Sequence, residues 1–94
     1  RMVALIISGP VHQTAMSFAK NLVMQILFLK DYKVEIFGPA DARISKIRKK
    51  FRIRVLLKCA KAVAIQGLLK GALKKVSPPS GVTLTIDVDP INFY

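Results

Sequence analysis

Phe51-Arg52-Ile53-Arg54-Val55-Leu56-Leu57-Lys58-Cys59 separates into two phases, Phe51, Ile53, Val55, Leu57 and Cys59 in one and Arg52, Arg54, Leu56 and Lys58 in the other. Side chains two apart on an extended chain share a face, so this stretch reads as a strand with one core face and one cationic face. Before it, residues 40–50 hold Ile44 and Ile47 at a spacing that suits one helical turn or a hairpin arm, and the hairpin arm is preferred. Further back, Val34 and Ile36 alternate with Lys33 and Glu35 as a short half-buried strand ended by Gly38-Pro39. Residues 2–8 (MVALIIS) form a continuous apolar run stopped by Gly9-Pro10, the signature of a buried central strand. Between these two strands Ala15, Phe18, Ala19, Leu22, Ile26 and Leu29 recur at helical spacing, which predicts a helix continuing to about Lys30 with Asp31 as its break. On the other side of the opening stretch, Ile65, Leu68, Leu69, Ala72 and Val76 predict a second helix over about 60–76, stopped by Ser77-Pro78-Pro79-Ser80-Gly81. Val82, Leu84, Ile86 and Val88 then alternate with Thr83, Thr85, Asp87 and Asp89 before Pro90 ends the last strand.

The order β-α-β-β-α-β is that of the α+β, ferredoxin-like split-βαβ plan, a four-stranded sheet with both helices on one face. The first strand is expected between the third and fourth, with the second outside the third. The other sheet face is then open and presents Arg52, Arg54 and Lys58 in a row. With the last strand antiparallel to the first and the third taken as parallel to it, Asp87 and Asp89 are expected near Arg1 and Arg52, as a structural ion pair rather than a metal site. The first helix is apolar beyond its core stripe: Met16, Val23, Met24, Leu27 and Phe28 cannot all face one sheet, which predicts an exposed apolar flank.

Charge narrows the class of partner. The 94 residues carry 16 Lys plus Arg against 5 Asp plus Glu, a net charge of +11. No acid lies between Asp41 and Asp87, where 12 of the 16 cations fall, so the positive charge belongs to one part of the fold. A surface of that kind repels its own copies and attracts polyanions, nucleic acid first. Arg43, Lys46, Arg48, Lys49, Lys50, Arg52, Arg54 and Lys58 are the candidate DNA contacts. At 52% hydrophobic, with 5 Gly and 5 Pro, the composition suits one packed domain over 1–94 rather than a disordered basic tail. One Cys excludes an internal disulfide framework and a multi-Cys zinc site. The longest apolar stretch is interrupted by Lys20, Asn21 and Gln25, so no membrane span is expected; anionic lipid or an acidic peptide tail ranks after nucleic acid on charge alone, and the partner expected is DNA rather than a membrane.

Catalytic chemistry is not expected. His12 and Cys59 are the only imidazole and thiol, on different elements, with no orienting carboxylate evident. Cys59 falls in the core phase of its strand and reads as a small buried hydrophobe. His12 follows Pro10 at a helix start and reads as a surface or capping residue. Gly9-Pro10 and Gly38-Pro39 lack the glycine spacing and the Lys-Ser/Thr of a phosphate loop. An acylphosphatase-like site would need a placed Arg and Asn, whereas Asn21 lies inside the first helix and Asn92 in the tail.

Three segments carry a resemblance over nearly the whole chain: Gly38-Pro39-Ala40, then Phe51-Arg52-Ile53-Arg54-Val55-Leu56-Leu57-Lys58, then Ile86-Asp87-Val88-Asp89-Pro90. In that order and spacing they resemble the C-terminal domain of the primosomal protein N′ family, the replication-restart helicases of bacteria. The resemblance implies a non-catalytic, cytoplasmic domain, similar in fold to ribosomal small-subunit protein S-ten, that binds branched or single-stranded DNA during primosome assembly at stalled forks. It implies no cofactor in this segment; the ATPase lobes with ATP and magnesium, and a zinc-binding insertion, belong to upstream helicase domains. The opening directly in a strand at Arg1, without an initiator Met, fits a C-terminal fragment of such a helicase. A further implied partner is the acidic tail of single-stranded-DNA-binding protein, with Gln66 matching a glutamine of the tail site. The basic residue one turn earlier falls on Ala62, with Lys61 beside it. The alternatives are a stand-alone S-ten-like ribosomal or RNA-binding protein, and a structural domain whose charge only solubilises it.

Overall fold

A computed structural model describes residues 1–47, 50–60 and 64–88, with 43–47 described by backbone alone. Strand β1 spans Met2–Gly9, helix α1 His12–Ile26, β2 Glu35–Ile47, β3 Lys50–Lys58, α2 Ile65–Leu73 and β4 Thr83–Val88; a 3-10 helix, Leu27–Tyr32, continues α1. The four strands form one sheet in the order β2-β3-β1-β4, as the split-βαβ plan requires.

Hydrophobic phase explains the layering. Ile53, Val55 and Leu57 of β3, with Val3, Leu5 and Ile7 of β1, are fully buried on the helix side of the sheet. The α1 stripe Ala15, Phe18, Ala19, Leu22 and Ile26 packs on them, and Leu29 extends it into the 3-10 helix. Ile65, Leu69 and Ala72 bring α2 onto the same core, and Cys59 is buried within it. At the start of β1 the Arg1 amino group donates to the Cys59 carbonyl oxygen at 2.8 Å, and the Cys59 N–H donates back to the Arg1 carbonyl oxygen at 3.0 Å. This reciprocal pair carries the β1–β3 ladder one residue past its last strand pair.

Several expectations are corrected. Strand β3 runs antiparallel to β1, pairing Gly9 with Phe51 and Met2 with Lys58. Gly38-Pro39 does not end the second strand. The chain passes through it by a bulge, with a cis Gly38-Pro39 peptide, and β2 continues to Ile47, so the hairpin arm over 40–50 is present. A second irregularity follows, since β2 advances five residues from Asp41 to Lys46 while β3 advances two from Ile53 to Phe51. The α1 helix ends at Ile26 rather than near Lys30, and α2, Ile65–Leu73, ends before Val76; residues 61–63 of the expected second helix lie outside the described residues.

Candidate nucleic-acid interface

The strand registers set out the helix-free face as cross-strand rows. Lys58 lies opposite Met2 on β1 and Glu35 on β2. In the next row Leu56 lies between Ala4 and Phe37, and Ala4 is followed by Asp87 of β4. Arg54 lies between Ile6 and Ala40, with Thr85 beyond Ile6. Arg52 pairs with Ser8, which pairs with Thr83. Thus Arg52, Arg54 and Lys58 share the open face, as the alternation predicted. Arg52 and Arg54 are half-buried and Lys58 is exposed. The Nε of Arg54 is buried and has no hydrogen-bond partner among the described residues.

The row leads toward the β2–β3 hairpin. Lys50, exposed at the start of β3, pairs with Ile47, and Lys46 pairs with Phe51. Arg43 and Lys46 are on the β2 backbone, their side chains lying outside the description; Arg48 and Lys49 lie outside the described residues. The hairpin end is therefore where the chain concentrates cations, whereas Glu35 and Asp87 stand toward the opposite end of the face.

This distribution overturns the expected neighbourhood of Asp87 and Arg52. The end of β4 does meet the start of β1, with Val88 opposite Val3. Antiparallel β3, however, puts Arg52 beside Ser8, four residues along β1 from Asp87's partner Ala4, or about 13 Å. Asp89 lies outside the described residues. No group of three His, Cys, Asp or Glu side chains able to hold a metal occurs among the described residues.

On the helix side of the hairpin is a cluster that local spacing did not disclose. His12 Nε2 donates to Asp41 Oδ1 at 2.7 Å, and the His12 ring meets the edge of Phe51 at a centroid distance of 5.4 Å and 80°. His12 therefore has an orienting carboxylate, contrary to the reading from sequence. Both side chains of the pair are well exposed, at 40% and 52%. The His12–Asp41 contact ties the start of α1 to the middle of β2.

Gln66 is exposed on α2 and lines a groove of about 490 Å³ with Leu69, Lys70, Leu73, Lys74, Ile86 and Val88. Ile86 follows the core phase of β4, yet it is exposed and forms one wall of this groove opposite α2. Lys61 and Ala62 lie outside the described residues. On the α1 side, Met24, Leu27 and Phe28 are exposed, and Met16 and Val23 are half-buried against the core, so the expected apolar flank is present.

Sheet order, a single helical layer and a cation-bearing open face define a small split-βαβ domain with a surface suited to an extended anionic ligand. Residues 1–91 match the primosomal protein N C-terminal domain, and the chain belongs to that family. Replication restart protein PriA of Rickettsia typhi is 36% identical over 91 residues, which cover 97% of this chain and 14% of that protein. The protein of the same name from Rickettsia conorii is 33% identical over the same shares. The chain thus spans about one seventh of the length of these relatives. Among the described residues no helix is long and apolar enough to cross a membrane.

Proposed function

We propose that this domain is a non-catalytic DNA-binding and partner-docking module of a bacterial replication-restart helicase, acting in the cytoplasm during primosome assembly at stalled forks. The observation that carries the reading is the file of Arg52, Arg54 and Lys58 on a sheet face that no helix covers among the described residues, leading toward a hairpin whose sequence is rich in Lys and Arg. Cations held on a strand meet successive phosphates of one backbone without reading base edges, which gives sequence-tolerant, salt-dependent binding. ATP, magnesium and zinc are assigned to upstream domains of the helicase, whose lobes would cover the α1 flank. The groove beside Gln66 combines apolar walls with Lys70 and Lys74, a combination suited to an acidic, apolar peptide end such as the tail of single-stranded-DNA-binding protein.

The test is binding of single-stranded, forked and duplex DNA, and of structured RNA, across a salt series. Arg52→Ala/Arg54→Ala/Lys58→Ala is expected to weaken binding to every DNA form. It should also reduce the slope of log affinity against log salt by about 2 for a single strand, the value for three lost phosphate contacts. Unchanged affinity of the triple variant at low salt would remove the basis of the proposal. A marked preference for structured RNA would favour the S-ten-like alternative.

A further inference from the structure

Phe37 is 47% exposed on β2, in the row it shares with Leu56. On the same face Arg54 and Lys58 stand two residues before and after Leu56 along β3, about 6.7 Å to either side. The ring is carried by a paired strand rather than a free loop. Gly38, the next residue, lies so close to β3 that a Cβ there would come within 2.8 Å of the Arg54 carbonyl oxygen. The surrounding face is not an exposed apolar patch: Leu56 and Met2 are half-buried, Ala4 and Ile6 are buried, and Glu35, Arg54 and Lys58 bring charge to the rows on either side of Phe37. An exposed aromatic ring flanked by cations matches a ligand that offers a flat π-face and an attached anion. A nucleotide has both.

We infer that Phe37 is a stacking position for an unpaired base of single-stranded DNA, with Arg54 and Lys58 holding the phosphates on either side. The inference rests on the DNA-binding reading above and narrows its ligand. In a duplex each base face is covered by its neighbours, so the ring gains nothing from paired DNA, whereas a single strand can lay a base on it. Sequence preference is not expected, because every base has a π-face.

The test measures fluorescence anisotropy with a (dT)15 strand, a duplex of equal length and a (dT)15 analogue containing abasic sites, using the 94-residue chain and checking each variant's fold by circular dichroism. Phe37→Ala is expected to weaken (dT)15 binding about tenfold, as loss of one base stack does. It should leave duplex affinity and the salt slope unchanged, and Phe37→Trp should retain full affinity. Abasic sites should weaken the wild type and leave Phe37→Ala unaffected. Affinity for (dT)15 within twofold of wild type, or an equal loss on duplex, would overturn the inference. If the cation triple variant weakens binding while Phe37→Ala does not, stacking alone is wrong. Failure of the wild type to bind any DNA would instead overturn the reading beneath it.

Discussion

Gly38 occupies backbone space closed to any other residue. Its φ is +105°, a region that side chains rarely adopt, and an added Cβ would approach the Arg54 carbonyl oxygen to 2.8 Å and the Ala40 nitrogen to 3.2 Å. Both obstacles are backbone atoms fixed by strand pairing, so neither yields as the end of a flexible side chain would. Gly38→Ala therefore combines conformational strain with a steric conflict, and a loss of about 2–3 kcal/mol is expected. Urea unfolding with an unchanged slope and a lowered midpoint would register it; a midpoint equal to wild type would show that β2 can shift without penalty. The same residue explains a limit of reading the sequence. Gly-Pro normally punctuates, and from local chemistry a strand end and a strand bulge look alike. Only the register of β2 on β3 tells them apart, and that register also brings Phe37 level with Leu56. The His12–Asp41 pair was illegible for a related reason, since its members are 29 residues apart and meet only when α1 is laid against β2.

At the scale of the element, the buried stripe of the first helix was fully legible, because Ala15, Phe18, Ala19, Leu22, Ile26 and Leu29 are all buried. Where the helix changes was not. A three-residue step from Ile26 to Leu29 satisfies a 3-10 turn as well as an α-helical one, so hydrophobic spacing alone does not distinguish Leu27–Tyr32 from a continuation of α1. The transition ends at Lys33, whose N–H donates to the carbonyl oxygens of Leu29 and Lys30 and whose left-handed backbone (φ 62°, ψ 35°) turns the Val34 N–H back to the Leu29 carbonyl oxygen at 3.3 Å. Lys33 is the only non-glycine residue with positive φ among the described residues. An L-residue in this conformation costs about 1–2 kcal/mol, and glycine removes that strain at a smaller entropic penalty in the unfolded chain. Lys33→Gly is thus expected to stabilise the domain by about 0.5–1 kcal/mol and raise Tm by about 4 °C. A lowered Tm would mean that the Lys33 side chain contributes more than its backbone conformation costs.

At the scale of the whole molecule, strand order followed from the element sequence, but direction needed a count of reversals. The helical crossover returns β2 parallel to β1, and the hairpin then turns β3 back, so β3 opposes β1. That single reversal carries Arg52 to the hairpin end and leaves Asp87 and Glu35 at the other. The open face is consequently graded in charge rather than uniformly basic. Glu35 stands two residues from Phe37 on the same face and opposite Lys58, so it faces any strand laid across the aromatic ring. At about 7 Å in a solvent-like dielectric, one charge pair amounts to roughly 0.6 kcal/mol. Glu35→Gln is expected to raise affinity for single-stranded DNA two- to threefold at low salt, with the gain fading as ionic strength rises and the Debye length falls below that separation. The measurement is a pair of anisotropy titrations of wild type and variant, one at low and one at high salt. If the Arg52, Arg54 and Lys58 substitutions weaken binding while Glu35→Gln leaves it unchanged at low salt, the strand stops at the hairpin end of the face. A gain confined to low salt places it across the full length of β3, past Phe37 and as far as Lys58.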